Sequence, residues 1–244
     1  MLFKVSISIL CLSMTFANEV YSVLYFKGDV TAYTLNEKKG FVPSKVREKQ
    51  TLATPFRIET GSNSLIVIKS KSKTNKIDSK SKIDFMETGK DAVVDVKYGS
   101  ILTRFINKRK LKGYEMKIKS RTAAMGVRGT TFIYYSEPRT GKNFLAVDEG
   151  AVSYKGKNSN NEVGVNKKQS IISNSDFKNL APKDYAFQRH INWELEVGRN
   201  TLSQPEALYE SFNRVWEEHK KDQEFTWQKR NKDMENKWKS MSKN

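Results

Sequence analysis

The chain reads as an all-β domain, a roll-like or β-helix-like sandwich of many short strands, with an α-helical C-terminal extension. Three observations predict this. From Val20 to about Ser173, short apolar runs of period near two alternate with glycine and polar turns, and helical periods are missing. Strand-forming residues crowd Thr122-Ala-Ala-Met-Gly-Val-Arg-Gly-Thr-Thr-Phe-Ile-Tyr-Tyr135 and its echo Phe144-Leu-Ala-Val-Asp-Glu-Gly-Ala-Val-Ser-Tyr154. After Ser173 the spacing turns helical, and from Pro205 to Ser240 neither glycine nor proline interrupts it.

The N-terminus comes first. Lys4 precedes a mostly apolar run, Val5 to Phe16, and Ala17 offers a small residue for cleavage before the polar Asn18-Glu19. This predicts a signal peptide over 1–17; a buried first strand or helix is the alternative. Cys11 is the lone cysteine, and Leu10 is the wrong residue to precede a lipid-modified one. The mature chain then holds no disulfide and no thiol nucleophile. No other segment approaches the ~18 consecutive apolar residues of a membrane span. The expected product is soluble and exported, periplasmic as first choice and secreted as second.

Within the β domain, expected over 18–175, Val23-Leu-Tyr-Phe26 leads through Lys27-Gly28-Asp29 into Val30-Thr-Ala-Tyr33 as a hairpin. Arg57 to Thr60 turns at Gly61-Ser62-Asn63 into Leu65 to Ile68. Lys73 to Ile77 and Ser81 to Phe85 alternate more loosely. Val93 to Val96 turns at Tyr98-Gly99 into Ile101 to Ile106. Tyr114, Met116 and Ile118 fall on one face of a strand, with Glu115, Lys117 and Lys119 on the other. Gly150, directly after Asp148-Glu149, suits a hairpin position that needs positive φ.

The net charge of +17 is uneven. Between Lys69 and Lys119 fifteen basic residues face six acids, leaving +9. Such a stretch can attract an anionic polymer or membrane surface. The blander reading is a solvated outer face of lysine-rich strands. The lysines alternate with strand residues rather than clustering with stacking aromatics, which argues against nucleic acid.

Beyond the domain, 176–202 reads as a short helix and linker, with Asp184 as cap and Tyr185 to Val197 as helix. Residues 203–244 read as one long charged amphipathic helix, on the order of 50 Å at ~1.5 Å per residue. Trp216, Trp227 and Trp238 sit eleven residues apart. At ~3.67 residues per turn they stay nearly in line. The stripe is expected to be a partner-binding surface. Three occupants stay open: the protein's own β domain, an external partner, or a second copy. Glu217 to Glu224 is too polar for a long regular coiled coil.

Nothing asks for catalysis. His190 and His219 have no ligand partner at useful spacing, so neither a metal nor any cofactor is expected. Gly61-Ser62-Asn63-Ser64 lacks the closing glycine of a nucleophile elbow. Gly126-Val-Arg-Gly129 lacks the Gly-Lys-Ser/Thr ending of a phosphate loop.

As a word pattern, Val127-Arg-Gly-Thr-Thr-Phe132 followed by Val147-Asp-Glu-Gly-Ala-Val152 resembles the FecR domain, a bacterial envelope module. The resemblance extends over about Val20 to Ser173. Ile58 to Ile68 is similar to its Thr-Gly-x-x-Ser strand pair, Tyr98-Gly-Ser-Ile101 to its mid-domain glycine turn, and Val165 to Gln169 to its closing segment. Lys168 stands where the family usually has glycine, and Lys69-Ser-Lys-Ser-Lys73 replaces an Asp-Gly-Ser turn. The resemblance implies Gly126, Arg128, Gly129, Thr130, Phe132, Glu149 and Gly150 as a structural motif. The founding members are transmembrane sigma-factor regulators with a cytoplasmic region ahead of the membrane helix; an export signal at the start does not fit that plan. The expectation is therefore a free-standing, non-catalytic periplasmic module that binds or scaffolds in envelope signalling or assembly. An envelope protein is the expected partner, with self-association through the C-terminal helix as a further option. The rival expectation is a structural protein held on anionic envelope polymer by its lysine-rich strands.

Overall fold

The computed structural model describes residues 19–36, 38–88, 91–106, 115–173, 176–179 and 181–184, with Lys232 alone beyond them. The expected signal peptide, the helix over Tyr185 to Val197 and the long helix from Ser203 lie outside the described residues.

What is described is nearly all β. Seventeen strands form one continuous hydrogen-bonded set that folds into two stacked layers. The front sheet runs, edge to edge, β3 (Gly40–Lys45), β2 (Val30–Asn36), β5 (Phe56–Thr60), β8 (Ser81–Thr88), β9 (Asp91–Phe105), β10 (Glu115–Ser120), β11 (Ala123–Val127), β14 (Ala151–Gly156) and β15 (Val163–Asn166). The back sheet runs β4 (Thr51–Ala53), β1 (Val20–Lys27), β6 (Leu65–Lys69), β7 (Lys73–Ile77), β9 again, β12 (Thr131–Ser136), β13 (Asn143–Glu149), β16 (Gln169–Ile172) and β17 (Lys183–Asp184). Only β9–β10 is parallel among these pairings.

The 15-residue β9 joins the layers. Its first part pairs with β8 and β10 in front; from Gly99 onward it pairs with β7 and β12 behind. Tyr98-Gly99 is therefore a bend inside one strand, not the turn between two that the sequence suggested. Gly99 has φ +93°, and a Cβ there would overlap Ser81 Cα. Only glycine lets the strand change sheets at that point.

Alternation along each strand fills the space between the layers. Phe56, Ile58, Phe85, Val94, Val96, Met116 and Ile118 enter from the front, and Tyr21, Ile66, Ile68, Ile101, Phe132, Tyr134 and Leu145 from behind. Phe56 and Phe85 stack at 4.7 Å between ring centroids, and Tyr21 meets each from the other sheet at 5.4 Å. Met116 and Ile118 are buried while Lys117 and Lys119 are exposed, as the alternation predicted.

The two outer faces differ. In front the outer face carries ion pairs: Arg57 with Asp84 at 2.8 Å, Lys82 with Glu59 at 2.7 Å, and Asp95 with Lys97 at 2.7 Å and Lys119 at 3.7 Å. The solvated lysine face therefore exists for β8 to β10. It does not extend to β7, where Lys73 and Lys76 are fully buried on opposite faces: Lys73 Nζ lies 5.5 Å from the Tyr21 ring on the core side, and Lys76 stands between Val67 and Leu102 on the other.

Candidate functional site

The sequence motif lies where the chain passes between layers. Val127 ends β11 in front and Thr131 begins β12 behind; Glu149 ends β13 behind and Ala151 begins β14 in front. β13 pairs with β12 and β16, and β14 with β11 and β15. Gly150 is thus a corner between sheets, not a hairpin. Its positive φ (+83°) is as expected; Gly129 also has a positive φ (+60°). The same correction applies to Lys27-Gly28-Asp29, which carries the chain from β1 behind to β2 in front.

These corners come in clasped pairs. In one partner a residue in the left-handed region precedes a buried hydroxyl residue: Asn63 (φ 52°) before Ser64, Lys80 (φ 51°) before Ser81, Gly129 before Thr130. In the other partner a positive-φ glycine packs on that hydroxyl residue: Gly28 on Ser64, Gly99 on Ser81, Gly150 on Thr130. Each hydroxyl donates to the carbonyl two residues earlier, Ser62 at 2.9 Å, Ser79 at 3.2 Å and Arg128 at 3.0 Å. Ser64 and Ser81 also accept from the amide after the glycine, Asp29 at 2.8 Å and Ser100 at 3.0 Å. Thr130 Oγ1 instead shares its proton with the Ala151 carbonyl at 3.0 Å.

Phe132 is fully buried between the sheets. Gly126 is a different case, lying in β11 with Lys117 and Ser153 as cross-strand neighbours on the outer front face. Arg128 is exposed and makes no ion pair among the described residues; Asp148 is held by Lys168. Glu149 is exposed, with a long contact to Thr131 Oγ1 at 3.4 Å. Lys168 itself has φ +65°, the conformation for which the resembled pattern supplies glycine.

At the far end of β12 a buried polar cluster ties the layers together. Tyr134 O–H donates to Asn143 Oδ1 at 2.6 Å, and Asn143 Nδ2 donates to Thr122 Oγ1 at 2.7 Å. Ser120 Oγ lies 2.8 Å from the Tyr134 hydroxyl. Burial pushes the Tyr134 and Tyr154 phenols up, which keeps both neutral. The cluster holds donors and acceptors but no base, and Tyr134, Asn143 and Thr122 within it are buried.

An open surface remains on the front face. Gly126 and Ala124 form the floor of a trough of about 380 Å³ lined also by Val93, Lys117, Lys119, Ser153, Lys155 and Glu162. Lys117 and Lys155 make no ion pair among the described residues. Beside the trough runs an apolar row: Phe41 opposite Leu35 on β3 and β2, then Met86 opposite Val93 on β8 and β9.

No family model matches the chain, and no curated protein matches it. Two crystal structures of a putative anti-sigma factor from Parabacteroides distasonis ATCC 8503, at 2.50 and 1.65 Å, are similar, with TM-scores of 0.44 and 0.43. Each is 13% identical, and the match covers 53% of this chain and 59% of that one. The likeness lies below the level that identifies a shared fold.

Trp216, Trp227 and Trp238 lie outside the described residues. Asp184, read as a helix cap, is the last residue of β17 and pairs with Gln169. Among the described residues no group of three or more His, Cys, Asp or Glu stands together, and no helix is long and apolar enough to cross a membrane. Sequence reasoning missed the Leu35–Met86 row and the trough. Both arise from strands that meet only through the sheet, and the lone signal was an isolated Met in Asp84-Phe-Met-Glu87.

Proposed function

We propose that this chain is a non-catalytic FecR-type module of the bacterial periplasm that binds or scaffolds an envelope protein through the outer face of its front sheet. The observation that carries this reading is the apolar row. Leu35 is 52% exposed and Met86 44%, and they stand on a face that is otherwise largely charged and polar. Large apolar side chains gathered in one place mark contact surfaces more often than scattered ones do. The trough beside them, floored by small residues, leaves room for a partner's side chains or backbone. The FecR resemblance supports the envelope setting, and the apolar run before Ala17 supports export. The C-terminal extension is read as helical.

A cross-linked pull-down of the intact protein from its own envelope tests this. Leu35→Glu with Met86→Glu, both at exposed positions, should lose the captured protein while the melting temperature stays unchanged. Capture equal to wild type ends the proposal.

The lysines favour a second reading, retention on anionic polymer. Lys117, Lys119 and Lys155 gather on the trough walls. Under that reading retention falls steeply with salt and follows Lys117→Ala and Lys155→Ala rather than the apolar pair.

A further inference from the structure

The back sheet has a second apolar face, turned away from the front sheet, and it is dry. Leu65, Val67, Leu102 and Ala146 are 0% exposed, Ile133 1%, Phe144 and Ile172 2%, and Tyr135 3%. None belongs to the core between the layers. They are the residues that alternate with it: Ile66, Ile68, Ile101, Tyr134, Leu145 and Ile171 point inward. Strand register places Val67, Lys76, Leu102, Ile133, Ala146 and Ser170 in one row across β6, β7, β9, β12, β13 and β16. Tyr135, Phe144 and Ile172 make the adjoining row.

No described strand is stacked on that side. The front sheet shows what an uncovered face of this fold carries, namely paired charges and half-exposed side chains. A face of Val, Leu, Ile, Ala, Tyr and Phe on five of these six strands, with Lys76 of β7 among them, would be a large apolar patch in water.

The described chain ends at the rim of this face. β17 pairs with β16, with Ser170 opposite Lys183 and Gln169 opposite Asp184. The chain therefore leaves Asp184 beside the row that contains Ser170. Residues 185–244 follow, and they hold all four tryptophans, Trp193, Trp216, Trp227 and Trp238. Six strands span about 24 Å at ~4.8 Å each. At ~1.5 Å per residue a helical segment crosses that width in about 16 residues. The segment has the length, the starting point and the aromatic side chains to be the cover.

We propose that residues 185–244 lie across the outer face of the back sheet as a third layer, with indoles seated on the row that includes Leu102, Ile133 and Ala146. This goes beyond the front-face reading and stands whether or not that reading survives. Under this proposal the occupant of the tryptophan stripe is the protein's own domain rather than an external partner. A competitor that lifts the segment would uncover an apolar sheet face.

Because no tryptophan lies before Trp193, indole fluorescence of the full chain reports on this segment alone. Acrylamide quenching of the intact mature protein should be several-fold weaker than that of N-acetyltryptophanamide and should not change on dilution. Ile133→Lys and Ala146→Lys place a charge on the seat and should raise quenching toward the free value. Those variants could disturb the sheet, so the tail supplies a second arm. Trp216→Asp with Trp227→Asp should lower the melting temperature and raise binding of a hydrophobic dye. Quenching as strong as that of the free compound in a protein with a sharp melt overturns the proposal. Protection that vanishes on dilution assigns the cover to a second copy and equally overturns it. So does a tail variant with wild-type melting and dye binding.

Discussion

Thr130 shows how much one hydroxyl does in this fold. It is fully buried, and its proton is shared by the carbonyls of Arg128 and Ala151, one from each of two corners. Thr130→Val keeps the shape and removes the donor. A buried carbonyl left without its partner costs about 1–3 kcal/mol, so the variant should melt several degrees lower. Gly150→Val adds strain at φ +83° and brings a Cβ to 2.9 Å from Thr130 Oγ1. The expected loss exceeds the ~1 kcal/mol that separates glycine from alanine in ordinary positions. Gly129→Val should lose a comparable amount. Gly129→Asn should lose less, because asparagine enters the left-handed region readily; Asn63 occupies the matching position at φ 52°. Thermal melts of the four variants check the order. Equal melting of Gly129→Val and Gly129→Asn would refute the conformational argument. Of the motif glycines, Gly150 was legible as a positive-φ position, from Asp148-Glu-Gly150. Their role as corners was not, since hairpins and corners ask the same φ of a glycine and differ only in which distant strand pairs with the next residue.

The buried phenols give a pH test on the same scale. Burial raises Tyr134 and Tyr154 above their ordinary value in the folded state. Below about pH 10 both are protonated folded and unfolded, so neither changes stability. Above it the unfolded chain releases these protons first, and stability falls as pH rises. The slope approaches ~1.4 kcal/mol per pH unit for each such tyrosine. Melting temperatures from pH 8 to 11 should drop at the alkaline end, and Tyr134→Phe should flatten part of that drop. A Tyr134→Phe curve parallel to wild type would contradict it.

Among the elements, β9 decides the architecture. It pairs on both sides in both layers, so its bend at Gly99 is shared by every neighbour. Gly99→Ala would press a methyl group onto Ser81 backbone, which cannot move without its own strand. The expected cost is larger than that of Gly150→Ala, where the nearest backbone atom, Thr130 Cα, stands 3.2 Å from the added methyl rather than 2.4 Å. Denaturant titrations of the two alanine variants test this, and a smaller loss at Gly99 would contradict the shared-bend account. The sequence announced most strands through their alternation, as in Tyr114 to Lys119. It hid β3 and β4, because Gly40–Lys45 is an exposed edge with Pro43 inside it and β4 has three residues. It also hid the depth of β7. Lys73-Thr-Asn-Lys-Ile77 has the composition of a surface strand, yet lies fully buried in the middle of a sheet.

For the whole molecule, the two sheets share one core but present opposite outer faces, one charged and open, the other apolar and closed. That asymmetry underlies both proposals, a binding surface in front and a seat for residues 185–244 behind. Net charge alone did not reveal it, since the basic stretch Lys69 to Lys119 crosses both sheets and its lysines divide between them. Amine labelling of the native full-length protein, followed residue by residue by mass spectrometry, tests this division most directly. Lys117 and Lys155 on the front face should react freely, while Lys73 and Lys76 in the back sheet stay unmodified until the protein unfolds. Labelling of Lys73 and Lys76 at the rate of Lys117 in the folded protein would contradict the account.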